Sequence, residues 1–250
     1  MSRTGFLIVI SFLCVFESYQ KQLPNYIRKC SLKHNLRECA IKSANDAIPF
    51  IVKGDPAYDI PNLSPLRIPF MSLIKTKDMS LNLTDVNIQG LDQAKLIDFV
   101  PANVDKMLFD IVLAIPKVTI NADYSIDGKI MIMPVNAKGR ISLFLNNGVY
   151  TYTVVIKAVE INGENHYQIE GQKLEFRFDK ISSDLESLTS TDETIGSFPV
   201  EQVNELLNEN WNTLLRDFGP LVSDAVSSLI QQIMNGIARD VPANGVFLPD

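Results

Sequence analysis

Apolar residues alternate with other residues along several rows in the middle of this chain. Met107, Phe109, Ile111, Leu113 and Ile115 form one row, and Val118, Ile120, Ala122, Tyr124 and Ile126 form the next. Ile141, Leu143 and Leu145 follow, then Tyr150, Tyr152, Val154, Ile156 and Ala158, and last Leu174, Phe176 and Phe178. A period of two marks strands that bury one face. Asp127-Gly128, Asn147-Gly148 and Asn162-Gly163 lie between these rows, and such pairs favour tight hairpin turns. The pattern begins near Met79 and predicts an antiparallel meander of long strands. Such strands twist and coil, so the sheet wraps around something.

The last third of the chain supplies a partner for it. Val200, Val203, Leu206, Leu207, Trp211, Leu214, Leu215 and Phe218 recur at helical spacing, and the stripe resumes after Gly219-Pro220 from Leu221 to Ile237. It would run roughly 55–60 Å at 1.5 Å per residue, with Pro220 kinking it or splitting it in two. A shorter helix is predicted from Asn35 to near Gly54, with Asn35 as cap, Glu38 reaching back to it, and Pro49 bending or ending it early. The proline-rich segment from Ile60 to Pro69 reads as extended chain. A long helix packed against a curled antiparallel sheet is an α+β architecture.

The N-terminus reads as an export signal. Arg3 precedes an apolar run from Phe6 to Phe16, too short for a bilayer core that needs about 20 apolar residues. Residues 1–18 are therefore expected to be a signal peptide, cleaved between Ser18 and Gln22, followed by one continuous domain over 19–250. No later segment is long and apolar enough to span a membrane. Cys14 leaves with the signal; Cys30 and Cys39 remain and are expected to pair in an oxidising compartment. Two cysteines are too few ligands for zinc, and no metal site is expected. Asn62-Leu63-Ser64 and Asn82-Leu83-Thr84 are glycosylation sequons; Pro65, directly after the first, makes Asn82 the better acceptor.

The formal net charge of −6 opposes binding to nucleic acid or anionic membrane surfaces. Catalytic chemistry has little to stand on. The two histidines, His34 and His166, are placed in exposed loops, ahead of the Asn35 cap and just after the Asn162-Gly163 turn. No nucleophile elbow, phosphate loop, dinucleotide fingerprint or His-Glu-x-x-His motif is present. Asp123 and Asp127 suggest paired carboxylates, but beside Gly128 aspartate is a routine turn residue. Glu201, Glu205 and Glu209 read as a solvated helix face. The expectation is a non-enzyme without a cofactor, with a monomer as the default state.

Several segments occur in a familiar order. These are the signal, the Cys30/Cys39 pair, Ile60-Pro61-Asn62-Leu63-Ser64-Pro65-Leu66, the stretch from Tyr124 to Pro134, Asn208-Glu209-Asn210-Trp211, and the tail Val246-Phe247-Leu248-Pro249-Asp250. Together they resemble the takeout / juvenile-hormone-binding protein family of insects across essentially the whole mature sequence. The resemblance implies a long helix wrapped by a highly curved antiparallel sheet around an apolar tunnel, and a secreted carrier of a small lipophilic ligand such as a juvenile-hormone-like terpenoid or fatty acid. Its lining is then expected from Phe70, Phe109, Leu113, Tyr124, Ile130, Ile132, Tyr152, Trp211, Leu215, Phe218 and Met234, with Tyr124, Tyr150, Tyr152 and Trp211 offering polar tips on apolar bodies. The competing reading is a defence protein that binds microbial or membrane lipid, which calls for a concentrated basic patch where this chain scatters its Lys and Arg.

Overall fold

A computed structural model describes residues 21–130, 133–187, 194–195 and 198–249; the export signal and Ile132 lie outside them. Helix α1 spans Leu36–Ile51. Strands β1 (Leu66–Lys75), β2 (Ser80–Gln89), β3 (Lys95–Asn103), β4 (Leu108–Ile130), β5 (Met133–Ile161), β6 (Glu164–Arg177) and β7 (Lys180–Ser187) form one sheet. Two short strands, β8 (Thr194–Ile195) and β9 (Phe198–Pro199), pair separately, and helices α2 (Val200–Glu209) and α3 (Trp211–Asp240) complete the chain. All ladders are antiparallel. Among the described residues no helix is long and apolar enough to cross a membrane.

The sheet is built on one hairpin, β4–β5, paired from Ile130↔Met133 to Leu108↔Val155. A straight strand of this length would reach about 75 Å at ~3.3 Å per residue. A seam across its middle lets it coil. The β4–β5 ladder skips the rung of Pro116, which has no N–H to donate, and Asn147, whose backbone is left-handed with φ 48°. On one side β2 stops at Gln89↔Thr119 and β3 starts at Lys95↔Ala114; on the other β6 ends at Arg177↔Val149 and β7 begins at Lys180↔Asn146. Asp179 closes that gap, donating its N–H to the Asn146 carbonyl at 3.1 Å and accepting from Asn147 Nδ2 at 2.8 Å.

Inward positions change parity at the seam, from the odd set Phe109–Ile115 to the even set Val118–Ile126 in β4. The shift by one residue keeps the apolar face inside on both halves. Two buried clusters result. One joins Leu83, Val86, Ala122, Tyr124, Ile126 and Leu185 to Val203 of α2; the other joins Phe109, Tyr152, Val154, Ile169 and Leu174 to Ala238 of α3 and to Cys30 and Leu36.

The helices close the curled sheet by reading the main chain of its edges. Asn204 and Asn208, one turn apart on α2, each bond both the N–H and the C=O of one β7 residue: Leu185 at 2.9 and 3.1 Å, Ser183 at 2.6 and 2.9 Å. On α3, Asn235 does the same to Ile169 of β6 at 2.8 and 2.9 Å, and Gln231 accepts from Gly171 N at 3.0 Å. Asn45 of α1 clips Leu96 of β3 with two bonds of 2.9 Å. These amides stand where a neighbouring strand would, on edges that otherwise invite pairing. The edge strand β1 carries Pro69 instead. Asn208→Ala should therefore strip the bonds that hold the half-buried Ser183 and cost about 1–3 kcal/mol, measurable by urea unfolding.

Several local expectations are corrected. Asn35 does precede α1, but its backbone is left-handed (φ 49°) and its side chain makes no capping bond; capping needs an extended backbone at that position. Of the three turn pairs only Asn162-Gly163 turns the chain, between β5 and β6, with φ 53° and 84°. Asp127-Gly128 and Asn147-Gly148 lie inside β4 and β5. The C-terminal stripe breaks at Asn210, not at Pro220, which stays within α3. Asn210 Nδ2 donates to the Leu206 carbonyl at 2.8 Å, beside the Asn210 N–H at 3.1 Å, and the side chain of a residue that bonds its own helix end favours such a boundary.

Candidate ligand-binding interior

The inward rows of β4 and β5 face each other across one ladder, so the interior is lined rung by rung. Phe109 sits opposite Val154, Ile111 opposite Tyr152, Leu113 opposite Tyr150, and Tyr124 opposite Gly139. At the two ends these residues are buried. Between those ends and the seam Ile111, Leu113, Ile120, Leu143, Leu145 and Tyr150 keep partial exposure although they share the inward face, whereas Ile115 and Val118 beside the seam are buried.

Three tyrosines enter this interior, and each occupies space left by a glycine. A methyl group on Gly139 would lie 2.7 Å from the Tyr124 ring and hydroxyl; one on Gly148 would lie 2.7 Å from the Tyr150 ring; one on Gly171 would lie 2.1 Å from the Tyr152 hydroxyl. Tyr152 bonds the Ser227 carbonyl of α3 at 3.3 Å. Tyr124 differs. It is 4% exposed, and its hydroxyl has no hydrogen-bond partner among the described residues. Burial pushes its pKa up to about 12, as it does for Tyr150, so both stay neutral donors in a mostly apolar setting.

The expected lining residues separate into groups. Phe109, Tyr152 and Met234 come together in the cluster that also holds Val226 and Ile230, with Phe109 stacked on Phe99 at 5.2 Å. Tyr124 belongs to the other cluster, beneath Val203, Leu207 and Leu214. Leu113 is half-buried near the seam, and Trp211, Leu215 and Phe218 are half-buried on the first turns of α3. Phe70 is 60% exposed on β1, paired with the exposed Thr84, and drops out of the set. Ile130 ends β4 with its side chain outside the described residues, as is Ile132. The sequons differ in setting: Asn62 is exposed in a turn where its Oδ1 accepts from Ser64 N at 2.8 Å, whereas Asn82 is half-buried in β2 between Ser72 and Ser125.

The catalytic candidates are not assembled into a site. His34 is exposed. His166 is buried, 8% exposed, because β6 resumes at Glu164 and carries it inside, where its Nδ1 has no partner among the described residues. Asp123 and Asp127 lie within β4, facing Arg140 at 3.8 Å and Asn136 at 3.4 Å. Among the described residues no three His, Cys, Asp or Glu side chains converge as a metal site.

Cys30 and Cys39 are joined, with Cα atoms 5.8 Å apart. The bond anchors the start of α1 beside the C-terminal tail, where Leu248 N donates to the Cys30 carbonyl at 3.0 Å and Phe247 meets Tyr167 edge-on at 5.7 Å.

Similarity to known proteins agrees with this geometry. The model of the haemolymph juvenile hormone binding protein (JHBP) family matches residues 7–248. The chain belongs to this family. Among JHBP-related proteins, it is 20% identical over 234 residues to the circadian clock-controlled protein daywake of Drosophila yakuba and 19% identical to that of Drosophila melanogaster, with 90% of this chain and 88% of each relative covered. The crystal structure of Epiphyas postvittana Takeout 1 superimposes with a TM-score of 0.72 at 19% identity, over 89% of this JHBP-family chain and 100% of Takeout 1. At that identity the likeness establishes the fold: a curled antiparallel sheet closed by a long C-terminal helix.

Proposed function

We propose that this JHBP-family protein is a secreted, non-catalytic, monomeric carrier of one small lipophilic ligand, a juvenile-hormone-like terpenoid, a fatty acid or a related lipid, held between the sheet and α3. The observation that carries this reading is the Tyr124 hydroxyl, a buried donor without a partner among the described residues, in an apolar cluster. Such groups are rare because each costs about 1–3 kcal/mol. A ligand with an ester, epoxide, carbonyl or carboxyl oxygen would satisfy it while its chain covers the half-exposed rows near the seam. Ten buried CH₂ groups contribute about 8 kcal/mol before losses, near micromolar affinity. Export follows from residues 1–18 read as a signal peptide, with residues 19–250 as one domain and Asn62 and Asn82 as glycan acceptors; the Cys30–Cys39 bond supports an oxidising destination.

Protein secreted from insect cells, extracted with organic solvent, should yield an oxygen-bearing lipid by mass spectrometry. An empty extract, with no uptake of fluorescent fatty acids or terpenoids, would sink the proposal. Tyr124→Phe separates binding from folding. It should weaken ligand affinity about fivefold, for a hydrogen bond of about 1 kcal/mol, while raising the unfolding free energy of the empty protein by about 1 kcal/mol. Calorimetric titration and urea unfolding check the two halves.

A further inference from the structure

The seam that crosses the sheet also crosses the interior, and aromatic rings fill it. Tyr150 pairs with Phe176 across the β5–β6 ladder, and Phe178 follows two residues later in the gap before β7. Phe178 meets Tyr150 edge-on at 5.6 Å and Phe176 at 5.7 Å. From the other side α3 comes close at Gly219, where a methyl group would lie 3.7 Å from the Phe176 ring. The helix backbone thus comes within van der Waals reach of the Phe176 ring. Phe176 packs on the edge of the cluster around Phe109 and the cluster around Tyr124 lies across the seam, each with its own inward row. Phe109–Ile115 extends about 20 Å on one side and Val118–Ile126 about 27 Å on the other, at ~3.4 Å per residue.

We propose that Tyr150, Phe176 and Phe178 form an aromatic constriction that confines the ligand to the half containing Tyr124 and sets the greatest chain length the protein accepts. This rests on the carrier reading above. The physical reason is that interiors are packed to crystal-like density, so a chain can pass the seam only by displacing rings that pack on one another, with α3 against Phe176. Phe178 is the ring to remove. It lies between β6 and β7 and contributes no ladder rung, so its loss opens space without unpairing strands.

The experiment measures displacement of a fluorescent fatty acid by saturated fatty acids of increasing chain length, for the parent protein and for Phe178→Ala. The parent should show affinity rising with length and then falling sharply at a cut-off. In Phe178→Ala the cut-off should move to longer chains, with at least a tenfold gain for the first lengths the parent rejects and little change for short ones. An unchanged ranking of chain lengths would overturn the constriction while leaving the carrier reading intact. A parent that binds no fatty acid or terpenoid would remove both. Where Phe178→Ala does not fold, Phe178→Leu takes its place, with a smaller shift in the same direction; a uniform loss at every length in that variant also counts against the constriction.

Discussion

Gly139→Ala should lower the midpoint of thermal unfolding by about 6–12 °C. Gly139 faces Tyr124 on β4 and Ser187 on β7. A methyl group there would lie 1.8 Å from the Glu186 carbonyl oxygen and 2.7 Å from the Tyr124 ring. The first contact is with main chain, so no rotamer relieves it; β7 must move away from β5 or the strand must twist. Overpacking typically costs about 1–3 kcal/mol and occasionally more, and a clash with backbone on one side and a buried ring on the other belongs at the upper end. For a chain of this size each kcal/mol shifts the midpoint by about 2–4 °C. Gly219→Ala is the control. Its methyl meets nothing closer than 3.7 Å, and alanine is about 1 kcal/mol better than glycine inside a helix, so this variant should unfold at the same temperature as the parent or above it. Circular dichroism melts of the two proteins decide the matter; equal losses would show that the Gly139 site yields more easily than its geometry implies.

Opening the Cys30–Cys39 bond should cost about 2–3 kcal/mol, the chain-entropy contribution of a short closed loop. The effect should also be local. Cys30 is buried with Leu36 in the cluster under α3, and its carbonyl holds Leu248 N. A Cys30→Ser/Cys39→Ser double variant is therefore expected to release the tail as well as lower overall stability. Hydrogen exchange read by mass spectrometry should show faster exchange for the Leu248 amide and for the first turn of α1, with the β4–β5 hairpin protected as before. Uniform acceleration across the sheet would mean that the bond acts only on the unfolded chain.

The architecture was legible because it rests on periodicity. Alternation along β4 to β6 and the helical stripe after Val200 specify a sheet and a long helix, and the ordered segments identified the family. Even the seam was written in the alternation, since the apolar row jumps from Ile115 to Val118. Its meaning was not, because a pattern of inward residues does not say which partners a strand exchanges there. Asn147-Gly148 resembles a turn for the same reason that it serves the seam: both uses need a residue at ease with positive φ. In the interior, apolar counting offers Phe109, Tyr152 and Met234, which share one buried cluster, and equally the exposed Phe70. It passed over Gly139, Gly148 and Gly171, whose contribution is the volume they leave to tyrosines. The clipping amides leave no such mark either; Asn204 and Asn208 look like ordinary polar positions beside the solvated Glu201, Glu205 and Glu209. An asparagine one turn from another, on the edge of an apolar stripe, was the available signal.

The clips have a consequence for how such a chain can change over time. Apart from a long 3.5 Å bond that Asn208 accepts from the Ser183 hydroxyl, the bonds of Asn204, Asn208, Asn235 and Asn45 to these strands go to N–H and C=O groups, which every residue but proline presents alike. Side chains on β6, β7 and β3 can therefore change without breaking these bonds, so long as each strand keeps its register and Gly171 leaves room for Tyr152. The scaffold tolerates rewriting of the surface that meets the ligand, and cargo preference can diverge among descendants that share little sequence and one shape.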